Sequence, residues 1–481
     1  MAKFNEKANG IKTTNICGHV AYALEDKVKL ATQVMTSFMN EPKYYGDNTP
    51  DIIETARKVI AEDGLFVAKL AIYTRNTMNM RSTSHMLCAV LAHDVKGEQY
   101  VRPTIKACVV RGDDAIEIFS AYKALFPNEP IPNNMRRGLK DAIDAMDDYS
   151  IAKYQCKADA IKMADLIKLC HANRRPGVTD ACIEGTLNKP TSWETELSAY
   201  GNTKETWEKL IAEDNVPYMA ALRNLRNMIT AAPDNFDVVL TRLTDKQAVA
   251  KSRQLPFRFY SAYRSVENIA STKVLDALED AIDASLENCP KLPGRTAIAV
   301  DVSGSMWQRI SRNSSISCAD VASLLGICAA KLSDEAWLYT FADNARKIPI
   351  ASHGGVLSQM DKLRGSGGCT NMGSAFEMID ADGIDVDRII ILSDNEVNRD
   401  GIWANKGKQC IQTLADAYRN KVGHDVWVHA IDMMGYGTAQ FTGKHTNIIA
   451  GWNEKIFNLI PMAESGTDAF INDIENVKIP S

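Results

Sequence analysis

From about residue 18 to residue 286 apolar side chains recur every three or four positions; beyond residue 290 that rhythm gives way to short β-branched runs separated by helical stretches. A stripe repeating about every 3.6 residues suits only a helix, whereas a short continuous apolar run suits a strand buried on both faces. The chain therefore has to fold as two kinds of structure in succession. In the first part, "AYALEDKVKLATQVMTSFM", "LFVAKLAIYTRN", "DAIDAMDDY" and "DAIKMADLIKLC" predict helices of roughly 10 to 18 residues, with short connectors such as "PNEPIPNN" and "NVP". Helical hairpins of that length stack as a HEAT-like solenoid. No exact repeat is present, so an irregular all-helical domain is the alternative.

The second part follows "ENCPKLPG", whose prolines and glycine predict a linker. "TAIAVDV", "AWLYTFA", "RIIILSD" and "VWVHAID" predict strands, and "CADVASLLGICAAKL", "VLSQMDKL", "MGSAFEMI" and "LADAYRNKV" predict helices among them. Such alternation gives a doubly wound, mostly parallel α/β sheet covered on both faces, with ligands at the C-terminal strand ends. The expected division is 1–288 for the helical-repeat domain and 289–481 for the α/β domain.

Those strand ends carry an unusual set of oxygen donors. Asp301, Ser303 and Ser305 leave the first predicted strand in "AVDVSGSMWQ", Thr370 lies in the glycine-rich "GSGGCTNMGS", and Asp394 closes the strand in "IIILSDNE". Two carboxylates and three hydroxyls are hard ligands that suit Mg²⁺ or another hard divalent cation, not zinc. Only two of the five are charged, so the ion should draw an anionic further ligand from a partner. Taken singly, each piece has a plainer reading: serines cap helices, aspartates end strands, and glycines loosen loops.

The pattern Asp301, Ser303, Ser305, Thr370 and Asp394 resembles the metal-ion-dependent adhesion site of von Willebrand factor A domains. A helical array followed by such a domain is similar to the Ro autoantigen ribonucleoproteins, of a bacterial or phage type, whose helical part is the TROVE module. "VPYMAALRNLRNM", "LPFRFYSAY", "RRGLKDAI" and "IYTRNTMNMRSTSHML" look like TROVE helices in order. The resemblance implies a HEAT-like ring closed by the A domain. It also implies binding of small noncoding Y-like RNA and of single-stranded 3′ ends of misfolded RNA in RNA quality control, an exoribonuclease as a further partner, and a monomer.

Charge neither demands nor forbids RNA. The net charge is −5, with 37 Lys+Arg against 38 Asp+Glu before residue 290 and 18 against 22 after it, which excludes a uniformly basic coat and leaves local patches. Residues 246–266 hold five cations, no acid, and Phe257, Phe259, Tyr260 and Tyr263, whose rings either stack on bases or pack a core. Residues 136–175 hold nine cations against six acids, among them Arg136, Arg137, Lys140, Lys153, Arg174 and Arg175. The resemblance places outer-surface RNA contacts in this region, with Lys153 and Tyr154 as a pair and His171 at a helix end. From Lys69 through Arg75 and Arg81 to His85 no acid occurs, and the resemblance lets this stretch face a ring interior.

Other classes find little support. No G-x-x-x-x-G-K-[ST], H-E-x-x-H or G-x-S-x-G motif occurs, so the expected protein is not an enzyme. No stretch reaches the ~18 uninterrupted apolar residues of a membrane span, and the opening "MAKFNEKANG" has no apolar leader, which makes cytoplasm the expected location. The eleven cysteines show no C-x-x-C pair and are expected to be reduced, mostly buried thiols. The expectation is a noncatalytic RNA-binding protein of the Ro type. Its rival is a metal-dependent protein-interaction scaffold without RNA.

Overall fold

The computed structural model describes residues 12–14, 20–36, 49–155, 161–310, 314–351, 353–365, 367–397, 411–435, 438–451, 454–464 and 469–480. The chain forms two compact units, one of Asp26–Thr195 with Ile471–Ser481, the other of Met1–Glu25 with Glu196–Phe470. This division does not follow the pattern change near residue 290. The helices between residues 196 and 290 share a unit with the sheet, the helices of residues 26–195 form the other, and each unit is completed by a segment from far along the sequence.

The first unit is helical. Its long helix Thr49–Asn76 is broken at Asp63, whose φ of −147° and ψ of 78° are not helical. The Asp63 carboxylate accepts from the Phe66 amide at 3.0 Å and from Lys27 Nζ at 2.7 Å, so it caps the second half of that helix and ties it to helix Asp26–Thr36. Helix Asn133–Ala145 buries Met135, Leu139, Ala142 and Ile143 along one face and leaves Arg136 and Arg137 exposed on another. The chain's last helix, Ala469–Glu475, contributes Ile471 and Ile474 to the core of this unit, and Glu475 receives Lys27 at 3.2 Å.

Sequence periodicity misplaced two boundaries here. "AYALEDKVKLATQVMTSFM" was expected to be one helix, but Val20–Ala23 is a strand and the helix begins at Asp26. "DAIDAMDDY" also divides: one helix ends at Ala145 and the next begins at Asp148, capped by the Asp147 carboxylate on the Ser150 amide at 2.7 Å.

The second unit holds helices from Lys204–Ala212 to Thr272–Ser285 and two sheets. The strands β1 (Lys12–Thr14) and β2 (Val20–Ala23) pair antiparallel, and β2 pairs with a short β8 (Thr438–Ala439). The main sheet contains β3 (Leu292–Asp301), β4 (Ser333–Phe341), β5 (Ala345–Ile348), β6 (Arg388–Ser393), β7 (Trp427–Asp432) and β9 (Thr446–Ala450), in spatial order β5-β4-β3-β6-β7-β9. Only β5 is antiparallel to its neighbour. Every residue of β6 is buried, as expected for a strand covered on both faces.

Helix Cys318–Leu332 follows β3 and crosses to β4, while β6 lies on the other side of β3. The gap between the C-terminal ends of β3 and β6 is thus the switch point at which doubly wound sheets bind ligands. The helix sits tightly on the sheet, since a Cβ at Gly326 would come within 2.7 Å of Val300 Cγ2. The aromatic stretch before the sheet belongs to the core: Phe257, Phe259 and Tyr260 are buried in helix Pro256–Val266, so their rings are not free to stack on bases.

Candidate metal centre and basic surface

Asp301 is the last residue of β3 and has no exposed surface. Its Oδ1 accepts from the Ser303 amide at 2.9 Å, turning the chain back over the strand end, and its Oδ2 accepts from Ser393 Oγ at 2.6 Å. Ser303 precedes a short 3₁₀ turn without capping it; its hydroxyl lies 3.3 Å from Ser305 Oγ and accepts from Thr370 Oγ1 at 3.0 Å. The serine that does cap is Ser317, in a box with Asp320 at the start of helix Cys318–Leu332. Hence Asp301, Ser303, Ser305 and Thr370 meet at one strand end, beside Asp394, which directly follows β6.

The glycine-rich loop is a fitted part of this centre. Gly304 N donates to Gly368 O at 3.1 Å. Gly368 has a φ of +115°, which strains any residue with a side chain, and a Cβ there would lie 2.3 Å from Asp343 Oδ2 and force that carboxylate to move. Thr370 is thereby held 2% exposed against Ser303.

The donor set suits a hard divalent cation. Asp394 has no exposed surface, and its Oδ2 is buried without a hydrogen-bond partner. Burial, with the Asp394 charge beside it, pushes the Asp301 carboxyl up to about 7, and burial also raises Asp394 although Ser305 opposes the shift. Two confined carboxylates that raise their own proton affinity are the arrangement a bound cation relieves. Among the described residues no cluster of three or more His, Cys, Asp or Glu side chains is arranged to hold a metal ion, so any ion here needs the hydroxyls.

The candidate RNA contacts scatter by comparison. Arg136 and Arg137 are exposed on helix Asn133–Ala145, and Arg136 bonds Asn133 Oδ1 at 2.8 Å. Lys140 reaches Asp144 and, at 2.9 Å, Asn173 Oδ1, which brings the loop 171–175 against this helix. His171 ends helix Met163–Cys170 in the left-handed conformation, φ 52°, and is exposed. Arg174 pairs with Asp180, and Arg175 with Asp148 at 2.9 Å. Lys153 lies apart, 3.3 Å from Glu194 and close over the Tyr149 and Tyr154 rings, with Arg111 on the same Tyr154 ring at 5.3 Å.

The stretch expected to face a ring interior behaves differently. Arg75 is 5% exposed, and its Nη2 is 2.7 Å from Asp114 Oδ2, which removes it from the candidate contacts. Arg81 pairs with Asp113 at 3.0 Å and Asp114 at 2.8 Å, and His85 Nε2 is 3.1 Å from Asp114 Oδ1. Burial works against the Asp114 charge, yet His85, Arg81 and Arg75 together hold its carboxyl well below the usual range. Lys69 donates to the Glu475 carbonyl.

The sequence matches the model of the TROVE domain over residues 28–188 and 183–284, and that of the Ro60 vWA domain over residues 295–460. The chain belongs to the Ro family. The Deinococcus radiodurans Ro (RSR) crystal structure superimposes with a TM-score of 0.64 over 94% of this chain and 100% of that one at 19% identity, so the fold is shared. RNA-binding protein RO60 of Caenorhabditis elegans is 27% identical over 250 residues, 49% of this chain and 38% of that protein. Its Deinococcus radiodurans counterpart is 28% identical over 231 residues, 42% of this chain and 40% of that protein. Telomerase protein component 1 of Rattus norvegicus is 23% identical over 336 residues, 51% of this chain and 13% of that protein. The matched stretches thus span between 13% and 40% of these curated relatives.

This Ro-family chain also has residues at the centre that sequence motifs did not single out. Ser393 carries the hydrogen bond to Asp301. Asn395 takes a left-handed φ of 61°, and its carbonyl accepts from Gln440 Nε2 at 2.9 Å. Asp432 ends β7 as Asp301 ends β3, is 1% exposed, and has its carboxyl pushed up to about 7 by burial, which outweighs the Gly435 and Met434 amides, with Asp394 adding to the rise. The signal for Asp432 was available: an aspartate closing the apolar run "VWVHAID" of a doubly wound sheet.

Proposed function

We propose that this chain is a noncatalytic RNA-binding protein that takes small noncoding Y-like RNA on its outer basic surface and single-stranded 3′ ends of misfolded RNA elsewhere, in RNA quality control. The observation that carries the reading is its membership of the Ro family, whose matched relatives include proteins named for RNA binding. Arg136, Arg137 and Lys140 on one helix, with the adjoining loop 171–175 carrying His171, Arg174 and Arg175, supply donors for phosphates. Mg²⁺ is the cofactor this reading assigns to the strand-end centre. Asp301, Ser303, Ser305, Thr370 and Asp394 would hold it, and the bound ion would supply a Lewis-acidic docking point for an anionic group of a partner.

Filter binding with hairpin and 3′-tailed RNAs at several salt concentrations tests the reading. Replacing Arg136, Arg137 and Lys140 together by Ala should weaken hairpin binding and shallow the slope of log affinity against log salt by roughly 0.7–0.9 for each phosphate that is no longer neutralised. Equal affinity of wild type and triple variant, or no RNA binding at low salt, would overturn it. A second reading, a metal-dependent protein scaffold, is favoured by one observation: Lys140, Lys153, Arg174 and Arg175 already have acidic partners, which RNA must displace. Loss of RNA binding with retained capture of a protein partner would select it.

A further inference from the structure

The C-terminal ends of three neighbouring strands lie side by side: Asp301 ends β3, Ser393 ends β6 and Asp432 ends β7. Val300 is level with Leu392, and Ser393 is level with Asp432, so the three form one row across the sheet edge. Ser393 gives its hydroxyl to Asp301 and its carbonyl to the Met433 amide at 2.9 Å, which couples the β3 end to the loop after β7. Asp432 Oδ1 accepts from the Met434 amide at 2.9 Å and the Gly435 amide at 2.8 Å. One oxygen thus shapes the turn, and Asp432 stands level with Ser393, the residue before Asp394, near enough for the two charges to repel.

We propose that Asp432 is an outer, non-ligating carboxylate of the metal centre, placed to raise its affinity for a divalent cation. This rests on the metal reading of Asp301, Ser303, Ser305, Thr370 and Asp394. Asp432 lies one strand beyond the ligands and does not complete a three-carboxylate cluster, so it acts through space. Its location among buried groups leaves the field weakly screened. Without the cation the same charge opposes folding, because it adds to the repulsion between Asp301 and Asp394. With a divalent ion bound, three nearby negative charges exceed the two positive ones. Such a centre binds its cation firmly and draws an anionic partner group less strongly than Asp301 and Asp394 alone would.

The test is Asp432→Asn in the full chain, since the amide keeps an oxygen for the Met434 and Gly435 amides while removing the charge. Calorimetric titration with MgCl₂ at pH 8 should give a Kd about 10-fold above wild type, the scale of outer-shell changes around metal ions. The melting temperature in EDTA should be equal to or above that of wild type. Asp416→Asn, an exposed acid on helix Ile411–Val422, should leave the Mg²⁺ affinity unchanged. Equal Mg²⁺ affinity in Asp432→Asn, or a lower melting temperature in EDTA as expected of a merely structural residue, overturns the proposal. Wild-type protein that gives no heat with Mg²⁺ would instead overturn the metal reading beneath it.

Discussion

Asp301 makes two hydrogen bonds from a position with no exposed surface, which changes how the proposed metal centre should be tested. Alanine would leave the Ser303 amide and the Ser393 hydroxyl without their acceptor, so Asp301→Asn is the cleaner variant. We expect Asp301→Asn to lose Mg²⁺ binding by more than the roughly 10–100-fold that outer-shell changes cost, with the circular dichroism spectrum unchanged; calorimetry checks it. Asp114 is the corresponding residue of the helical unit, answering Arg75, Arg81 and His85 and the amides of Val110 and Arg111. Asp114→Asn leaves a buried guanidinium without its counter-charge and should destabilise the unit by about 3 kcal/mol, read as a shift in urea midpoint. That these five oxygen donors meet at one sheet edge was legible because Asp301 closes one predicted strand, Asp394 lies at the end of another, and Ser303, Ser305 and Thr370 lie in loops of the same βα alternation. Arg75 was not, because its partner lies 39 residues further along, and no local pattern reveals which cation will meet a buried acid.

At the scale of elements, strands buried on both faces were readable and edge strands were not. β5 has only four residues, of which Arg346 and Lys347 are exposed, a pattern that looks like a polar loop and serves to blunt the sheet edge. β2 was hidden in the same way, because "AYA" continues an apolar helical spacing and only pairing with β1 and β8 makes it a strand. The sheet also contains a charged set that an apolar pattern conceals. Arg388 opens β6 at 3% exposure and grips Glu464, Nη2 to Oε2 at 2.7 Å, while His429 Nε2 on β7 is 3.0 Å from Glu464 Oε1. Burial works against the Glu464 charge, but the bonds from Arg388 and His429 prevail and lower its carboxyl to about 2. A lowered carboxyl contributes stability above its unfolded value of 4.5 and loses it as pH falls toward the folded value. Glu464→Gln should therefore unfold at lower urea than wild type at pH 7. That gap should narrow between about pH 4.5 and pH 2, and a gap independent of pH would show that shape, not charge, is what Glu464 supplies.

For the whole molecule, the succession of helices and then an α/β sheet was legible from periodicity, but the assembly of segments into units was not. Spacing along a chain says what a segment becomes and nothing about which distant segment completes it. Removing residues 471–480 should accordingly damage the helical unit at the far end of the sequence, by uncovering what Ile471 and Ile474 bury, leaving Lys27 with Asp63 alone and taking the Glu475 carbonyl from Lys69. Hydrogen exchange should show lost protection in helices Asp26–Thr36 and Thr49–Asn76 while β3 and β6 keep theirs. Burial of the two isoleucines alone is worth about 3–6 kcal/mol. The same return of the chain sets an order of events at the ribosome. Residues 26–195 emerge early, but the segment that finishes their core emerges only after residues 196–470 have been made. At a synthesis rate of about 5–20 residues per second, that interval lasts some tens of seconds. Throughout it the apolar surface that Ile471 and Ile474 cover in the finished fold lacks its cover, so a chain stalled before residue 471 should be cut by protease in its helical unit more readily than the full chain.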